Sequence, residues 1–306
     1  MQHLTSFSAC GKIILLGEHF VVHGSPAVAV PLTTHGTTVE IFRDPAAHTD
    51  RLESDAPGAD LALANELFAA ALDQAGFPRG EGLLARVCST LPVGYGLGSS
   101  ASLAVALAGA LLRAAGEAAT VERINERAHR LERVTHGSPS GIDNTVVTLR
   151  APIFFRRGDP PRALHPPLSP ALVLASSGAP GSTKEAVSRV GQARQADPLG
   201  FARRRDRASV LVTRGAAALE ANELETLGRL MDQNHTLLSE LGVSTPGIEA
   251  LVAAARDAGA LGAKLTGSGR GGFVVALVRP GQDEAVARAL EQAGSPLVIR
   301  ASEGPS

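Results

Sequence analysis

Leu91-Pro92-Val93-Gly94-Tyr95-Gly96-Leu97-Gly98-Ser99-Ser100-Ala101-Ser102 sets three glycines on alternate positions, then two serines, ahead of a helix-forming apolar run from Leu103 to Leu112. Glycine adopts positive φ without strain and lets a backbone approach a ligand with no Cβ in the way. Ser99 and Ser100 stand where a helix N-cap is expected. A glycine-rich turn feeding a helix start presents unpaired N–H groups and the positive end of the helix dipole, which together form an anion cradle. The spacing is not that of a Walker A loop, because no lysine follows the glycines before the serine. It does not fit a dinucleotide fingerprint either. Many such turns bind nothing, so the remainder of the chain has to decide.

Outward from that stretch, 306 residues suffice for two domains with their own cores. A formal net charge of −1 gives no electrostatic case for nucleic acid or an anionic membrane surface. Charges or prolines interrupt every apolar run before it reaches membrane-spanning length. Met1 to Ser8 lacks the pattern of a signal peptide, and two cysteines, Cys10 and Cys88, make no disulfide framework. A cytoplasmic location is the expectation, without nucleic-acid or membrane partners. Lysine is scarce: of the 29 basic residues only Lys12, Lys184 and Lys264 are not arginine. Lysine is a compact point charge suited to a phosphate or a reacting hydroxyl, so these three positions invite a closer reading.

Upstream of the glycine stretch, Leu4 to Leu16 reads as extended with a break at Ala9–Gly11. Phe20–Val22, Ala27–Leu32 and Gly36–Phe42 read as further strands, Asp60–Ala75 as a helix and Leu83–Ser89 as a strand. Downstream, Thr120 is placed to cap a helix running to about Val134. His136–Asn144 reads as a tight loop and Val146–Phe155 as a strand. Pro-dense sequence around Asp159–Pro170 marks a crossover, giving an N-terminal domain over 1–164 and a C-terminal one over 165–306. The second part reads strand, helices, strand, strand, helix, strand. The expected class is therefore α+β: a mixed α/β N-terminal domain, and a ferredoxin-like C-terminal domain with a four-stranded antiparallel sheet.

Among acidic residues, Asp143 lies in a Pro/Gly-constrained segment that could hold its carboxylate beside a cleft, although an Asx-turn would explain it as well. Glu132, eleven positions earlier, could join a Mg²⁺ site, since that ion needs only one or two protein carboxylates. A solvated helix face is its ordinary alternative. Gly267-Ser268-Gly269-Arg270-Gly271-Gly272 is a second glycine-rich turn, richer than a hairpin needs. Two such turns suit a ligand with several phosphates lying between two domains.

Three segments carry a resemblance: Ala9 to His19 with Val21 to Gly24, Pro92 to Ala101, and Lys264 to Gly272. In that order they resemble the three signature motifs of the GHMP kinase superfamily. Gly17-Glu18-His19 with His136 to Asn144 is most similar to the branch that phosphorylates mevalonate. The resemblance implies an ATP- and Mg²⁺-dependent kinase acting on the primary hydroxyl of mevalonate, with a homodimer as one expected state. It implies Asp143 as catalytic base and Lys12 as its partner. Pro92, Gly94, Tyr95, Gly96, Leu97, Gly98, Ser99, Ser100 and Ala101 would hold the ATP phosphates, with Ser100 and Glu132 on Mg²⁺. Lys12, Glu18, His19, Asp143, Thr183, Gly267 and Ser268 would line the substrate site. Cys10 departs from the family's usual Pro, His23 from its Tyr, and Arg270 interrupts a glycine run, where it could reach a phosphate. A sugar kinase of the same superfamily, a kinase for another mevalonate position, and a nucleotide-binding relative without activity remain alternatives.

Overall fold

The structure is a computed structural model that describes residues 1–137 and 139–301. Ser138, within the loop expected over 136–144, lies outside the described residues, as do residues 302–306. The chain folds into two compact units, and neither is contiguous in sequence. The first comprises residues 1–12, 31–93 and 98–150, and the second residues 13–30, 94–97 and 151–306. The chain passes from one to the other inside strands and inside the glycine stretch, so compactness and sequence order divide it differently.

In the first unit, β1 (Gln2–Leu16) pairs with β2 (Ala27–Arg43), both strands running on into the second unit. Beside β2 come β4 (Leu83–Ser89), antiparallel from Thr37↔Ser89 to Arg43↔Leu83, and β3 (Arg51–Ser54), parallel to β4. Four helices pack with this sheet: α1 (Leu61–Ala75), α2 (Ser99–Ala114), α3 (Val121–His136) and α4 (Ile142–Leu149). Helix α2 is apolar all round, with Ala101, Ala104–Ala108 and Ala110–Leu112 buried, as a helix surrounded by other elements must be. Asp60 caps α1 through the amides of Ala62 and Leu63, and Thr120 caps α3 through that of Arg123.

Several expectations are corrected here. Gly98, with φ 83°, occupies the N-cap of α2, so Ser99 and Ser100 lie inside its first turn. No break interrupts β1, and the two strands expected over 27–42 are one. Val146–Leu149 is helical. The run Thr145-Val-Val-Thr148 has strand propensity, but Gly141 (φ 91°) starts a helix whose Ile142, Val146 and Val147 are buried, and packing against α2 and α3 prevails. Asp143 therefore stands in the first turn of α4 and not in a loop.

The second unit holds a four-stranded antiparallel sheet in the order β10-β7-β9-β8, from β7 (Ala171–Ser176), β8 (Gly262–Thr266), β9 (Phe273–Val278) and β10 (Val298–Arg300). With α5 (Thr183–Ala196), α6 (Pro198–Glu220), α7 (Leu224–Glu240), α8 (Pro246–Asp257) and α9 (Asp283–Gln292), this is the expected α+β class. The strands of β7 and β9 are buried on both faces, which is why they read as continuous apolar runs. Short β5 (Ile153–Phe155) pairs with Ala27–Ala29 of β2, and β6 (Arg162–Ala163) pairs with β5. Phe20–Val22 is not a strand. Val21–His23 forms a 3₁₀ turn that Gly24 closes at φ 87°.

Candidate active site

The first unit gathers four of the expected residues. Lys12, near the end of that unit's part of β1, places its Nζ 3.0 Å from Asp143 Oδ2. The Lys12 side chain is 4% exposed and that of Asp143 33%, so a buried ammonium holds a carboxylate that still meets solvent. Gly98 makes room for this lysine: a Cβ there would stand 2.6 Å from Lys12 Cγ, at a φ that side chains rarely adopt. From the first turn of α2, Ser100 Oγ donates to Glu132 Oε1 at 3.2 Å, and Thr135 Oγ1 lies 3.5 Å from the same hydroxyl. Glu132 is buried. Burial first, then the negative charge of Asp143, pushes its carboxyl up to about 7, against the Ser100 hydrogen bond and the Lys12 charge. Ser100 and Glu132 thus offer neighbouring oxygen donors of the kind a hard divalent cation takes, with the negative charge of Asp143 felt at Glu132. Among the described residues, no group of three or more His, Cys, Asp or Glu side chains could hold a metal by itself. Mg²⁺ bound mainly by phosphates needs no such group.

The N-terminus of α2 has no side-chain cap, which leaves its first amides free to meet an anion. Gly94, Gly96 and Gly98 carry φ of 82°, 80° and 83°, a repeated left-handed backbone that only glycine adopts without strain. Pro92, Ser99 and Ala101 complete this stretch. One site feature had no sequence signal: a mainly apolar cavity of about 130 Å³ adjoining Ser99 and Ser100, with Leu52, Leu63, Val87 and Leu103 in its walls. Its lining comes from separate elements whose apolar residues read as ordinary core.

The second unit assembles a different cluster. Glu18 is buried, where it accepts hydrogen bonds from Lys264 Nζ and, at 3.3 Å, from Asn234 Nδ2. Lys264 Nζ also donates to the Leu265 carbonyl at 2.5 Å, and Gly17 N donates to Asn234 Oδ1 at 3.2 Å. Burial lowers the Lys264 pKa against the pull of Glu18. Beside this pair His19, at φ 63°, sets Nε2 2.8 Å from the Ser268 carbonyl. Burial drives the His19 pKa down to about 4 despite that hydrogen bond, with the charges of Lys264 and His23 adding to the effect. Gly96 closes against Gly267, Gly94 accepts a hydrogen bond from Gly181 N, and Tyr95 packs edge-on to Phe273. Leu97 is fully buried. Thr183 opens α5, exposed, one residue after the capping Ser182. Arg270 is turned to protein: its guanidinium pairs with Glu185 at 2.7 Å and meets the Ser244 carbonyl. Asn234 is the residue to notice in the sequence, a short amide that with His235 interrupts the buried, mainly apolar face of α7.

Residues 62–151 match the GHMP kinases N terminal domain, and residues 216–296 match the GHMP kinases C terminal. The chain belongs to the GHMP kinase family. Relatives include the mevalonate kinase of Thermococcus gammatolerans, 33% identical with 97% of this chain and 96% of the relative covered. The mevalonate kinase of Pyrococcus horikoshii is 35% identical over 96% of this chain and 95% of its own. Among solved structures, L. major mevalonate kinase in complex with R-mevalonate superposes with a TM-score of 0.87. It is 31% identical, with 97% of this chain and 94% of that one covered.

Proposed function

We propose that this chain is an ATP-dependent kinase that phosphorylates the primary hydroxyl of mevalonate, giving 5-phosphomevalonate and ADP. The Lys12–Asp143 pair carries the reading, set on a sequence about a third identical to mevalonate kinases over nearly its full length. Asp143 takes the proton of the hydroxyl as its oxygen attacks the γ-phosphorus. The bond from that phosphorus to the bridging oxygen breaks, and ADP leaves. The Lys12 ammonium stabilises the alkoxide character that develops, so it favours the transition state over the neutral alcohol. Phosphoryl transfer asks a protein mainly for positioning and charge neutralisation, and both are supplied here by side chains with fixed partners.

The phosphates are assigned to the stretch Pro92–Ala101, and the base of the nucleotide to the apolar cavity beside Ser99 and Ser100. Ser100 and Glu132 would hold Mg²⁺, which when bound neutralises phosphate charge. Glu18, His19, Thr183, Gly267 and Ser268 are assigned to mevalonate, Glu18 by holding its neighbour in place. The division into an N-terminal domain over 1–164 and a C-terminal one over 165–306 belongs to the same reading. Two unpaired thiols, Cys10 buried and Cys88 exposed, suit a reducing cytoplasm. Among the described residues no helix is long and apolar enough to cross a membrane. A coupled ADP-release assay over mevalonate, phosphomevalonate, galactose and homoserine tests the reading. Turnover with mevalonate far above the others is expected, and preference for any other acceptor overturns it.

A further inference from the structure

The first unit holds a cavity of about 360 Å³ that the kinase reading does not use. Phe7 of β1, Val105 of α2, Ile124 of α3 and Val147 of α4 give it an apolar side. Arg113 and Arg150, both exposed, bring two positive charges to it, and no carboxylate lines it. The Phe7 ring is set into α2 at Gly109, where a Cβ would stand 2.6 Å from the ring. Arg113 lies 4.7 Å over the centre of that ring and donates to the Ser6 carbonyl at 3.0 Å, which leaves most of its five N–H donors unspent. Among the described residues the guanidinium of Arg150 makes no hydrogen bond or ion pair. Its backbone ends α4 at φ 51°, a position where glycine is the usual residue. A second cavity of about 350 Å³ shares Ser8 and Arg150 with the first, but Asp55 stands in its wall and opposes an anion there.

We propose that this cavity is an effector site for an organic anion with a short apolar body, its head held by Arg113 and Arg150 and its body against Phe7, Val105, Ile124 and Val147. Guanidinium forks match the oxygens of a phosphate or a carboxylate. An inorganic ion would leave the apolar side in contact with water, whereas a short hydrocarbon body covers it. The site is built into the same elements as the proposed chemistry. Strand β1 also carries Lys12, α2 carries Ser100, α3 carries Glu132 and α4 carries Asp143, all within the first unit. A ligand favours the state it binds, and in this state Lys12 meets Asp143. Occupancy is therefore expected to raise kcat without competing with ATP or the acceptor. That effect on rate rests on the kinase reading above, and the binding itself does not.

The test measures thermal unfolding of the whole protein with n-butyl phosphate, pentanoate, inorganic phosphate or n-butanol, each at about 10 mM and at constant ionic strength. Butyl phosphate should raise Tm by about 2–3 °C, and inorganic phosphate and butanol by less than about 1 °C. A rise with butyl phosphate or with pentanoate supports the site, and the larger of the two names the head group. Arg150→Gly removes the guanidinium and suits the left-handed backbone, so it should unfold no earlier than the parent while losing most of the ligand-induced rise. Arg113→Gln should lose it as well. A rise that survives both substitutions, or one that inorganic phosphate matches, overturns the proposal. In steady-state ADP release with mevalonate, butyl phosphate should raise kcat about twofold and leave the KM for ATP unchanged. An unmoved or lowered kcat removes the effector role, and a raised KM for ATP places the ligand at the phosphate stretch instead. If no acceptor is turned over, the kinase reading falls, while the unfolding measurements still decide the site.

Discussion

Among the described residues each compact unit holds one lysine–carboxylate pair, and the two pairs differ in their access to solvent. Lys12–Asp143 keeps the ammonium buried and the carboxylate partly open, whereas Lys264–Glu18 is sealed, with exposures of 0% and 1%. An open carboxylate can take a proton from something that arrives. A sealed pair can only fix the elements that meet at it, and a buried pair gains little net stability after desolvation of both charges. An ammonium paired with a carboxylate thus suits the proposed chemistry in one place and architecture in the other, and accessibility makes the difference.

The sharpest way to break this contrast is to neutralise the open carboxylate. Asp143→Asn should reduce kcat by roughly three orders of magnitude or more, because the base acts on the transition state, and leave the KM for ATP nearly unchanged. Steady-state ADP release measures both, and near-native kcat would remove Asp143 from the chemistry. The sealed pair should answer in stability instead. Lys264→Met leaves the Glu18 carboxylate buried without its cation and should cost about 3–5 kcal/mol in urea unfolding. Adding Glu18→Gln to that variant should restore most of the loss. A double variant as unstable as the single one would mean that the charges themselves are not what the site manages.

Glu132 sharpens the contrast from the side of the open site. Its folded-state pKa is raised from 4.5 to about 7, so its contribution to stability is intact below pH 4.5 and is lost as the pH rises through about 7. Glu132→Gln should therefore raise Tm at pH 8 by several degrees and flatten the decline in stability between pH 5 and pH 8. It should also increase the Mg²⁺ concentration needed for half-maximal activity. A residue that destabilises the fold while serving the site is the expected pattern for function, and an unchanged Tm profile would contradict it.

How much of this was readable in the sequence follows from the same physics. Glycines at 94, 96 and 98 announce their left-handed backbone because glycine adopts it without strain, and Lys12 stands out because lysine is so scarce. The partner of Lys264 is 246 residues away, and no local pattern signals that Glu18 is buried against it. The helical start at Asp143 was hidden for a different reason. Thr145-Val146-Val147-Thr148 has the composition of a strand, and only packing against α2 and α3 makes it a helix. Motifs bound to backbone geometry are legible, and the burial of charged side chains against distant partners is not.

Arg270 marks the smallest expected effect and the place where sequence and geometry pull apart. As a guanidinium in a glycine run it invites assignment to a phosphate, yet it already pairs with Glu185, with exposures of 26% and 43%, and meets the Ser244 carbonyl. A half-exposed pair of this kind contributes about 0–1 kcal/mol. Arg270→Ala should accordingly lower stability by no more than that, and the KM for ATP should stay within about twofold. Its φ of 56° is more costly for a residue with a Cβ than for glycine. Arg270→Gly, which restores an unbroken glycine run, should therefore lose the ion pair but regain part of that strain. If instead both substitutions raise the KM for ATP about tenfold, the guanidinium must leave Glu185 when nucleotide binds, and the pair seen here is a resting position from which it moves.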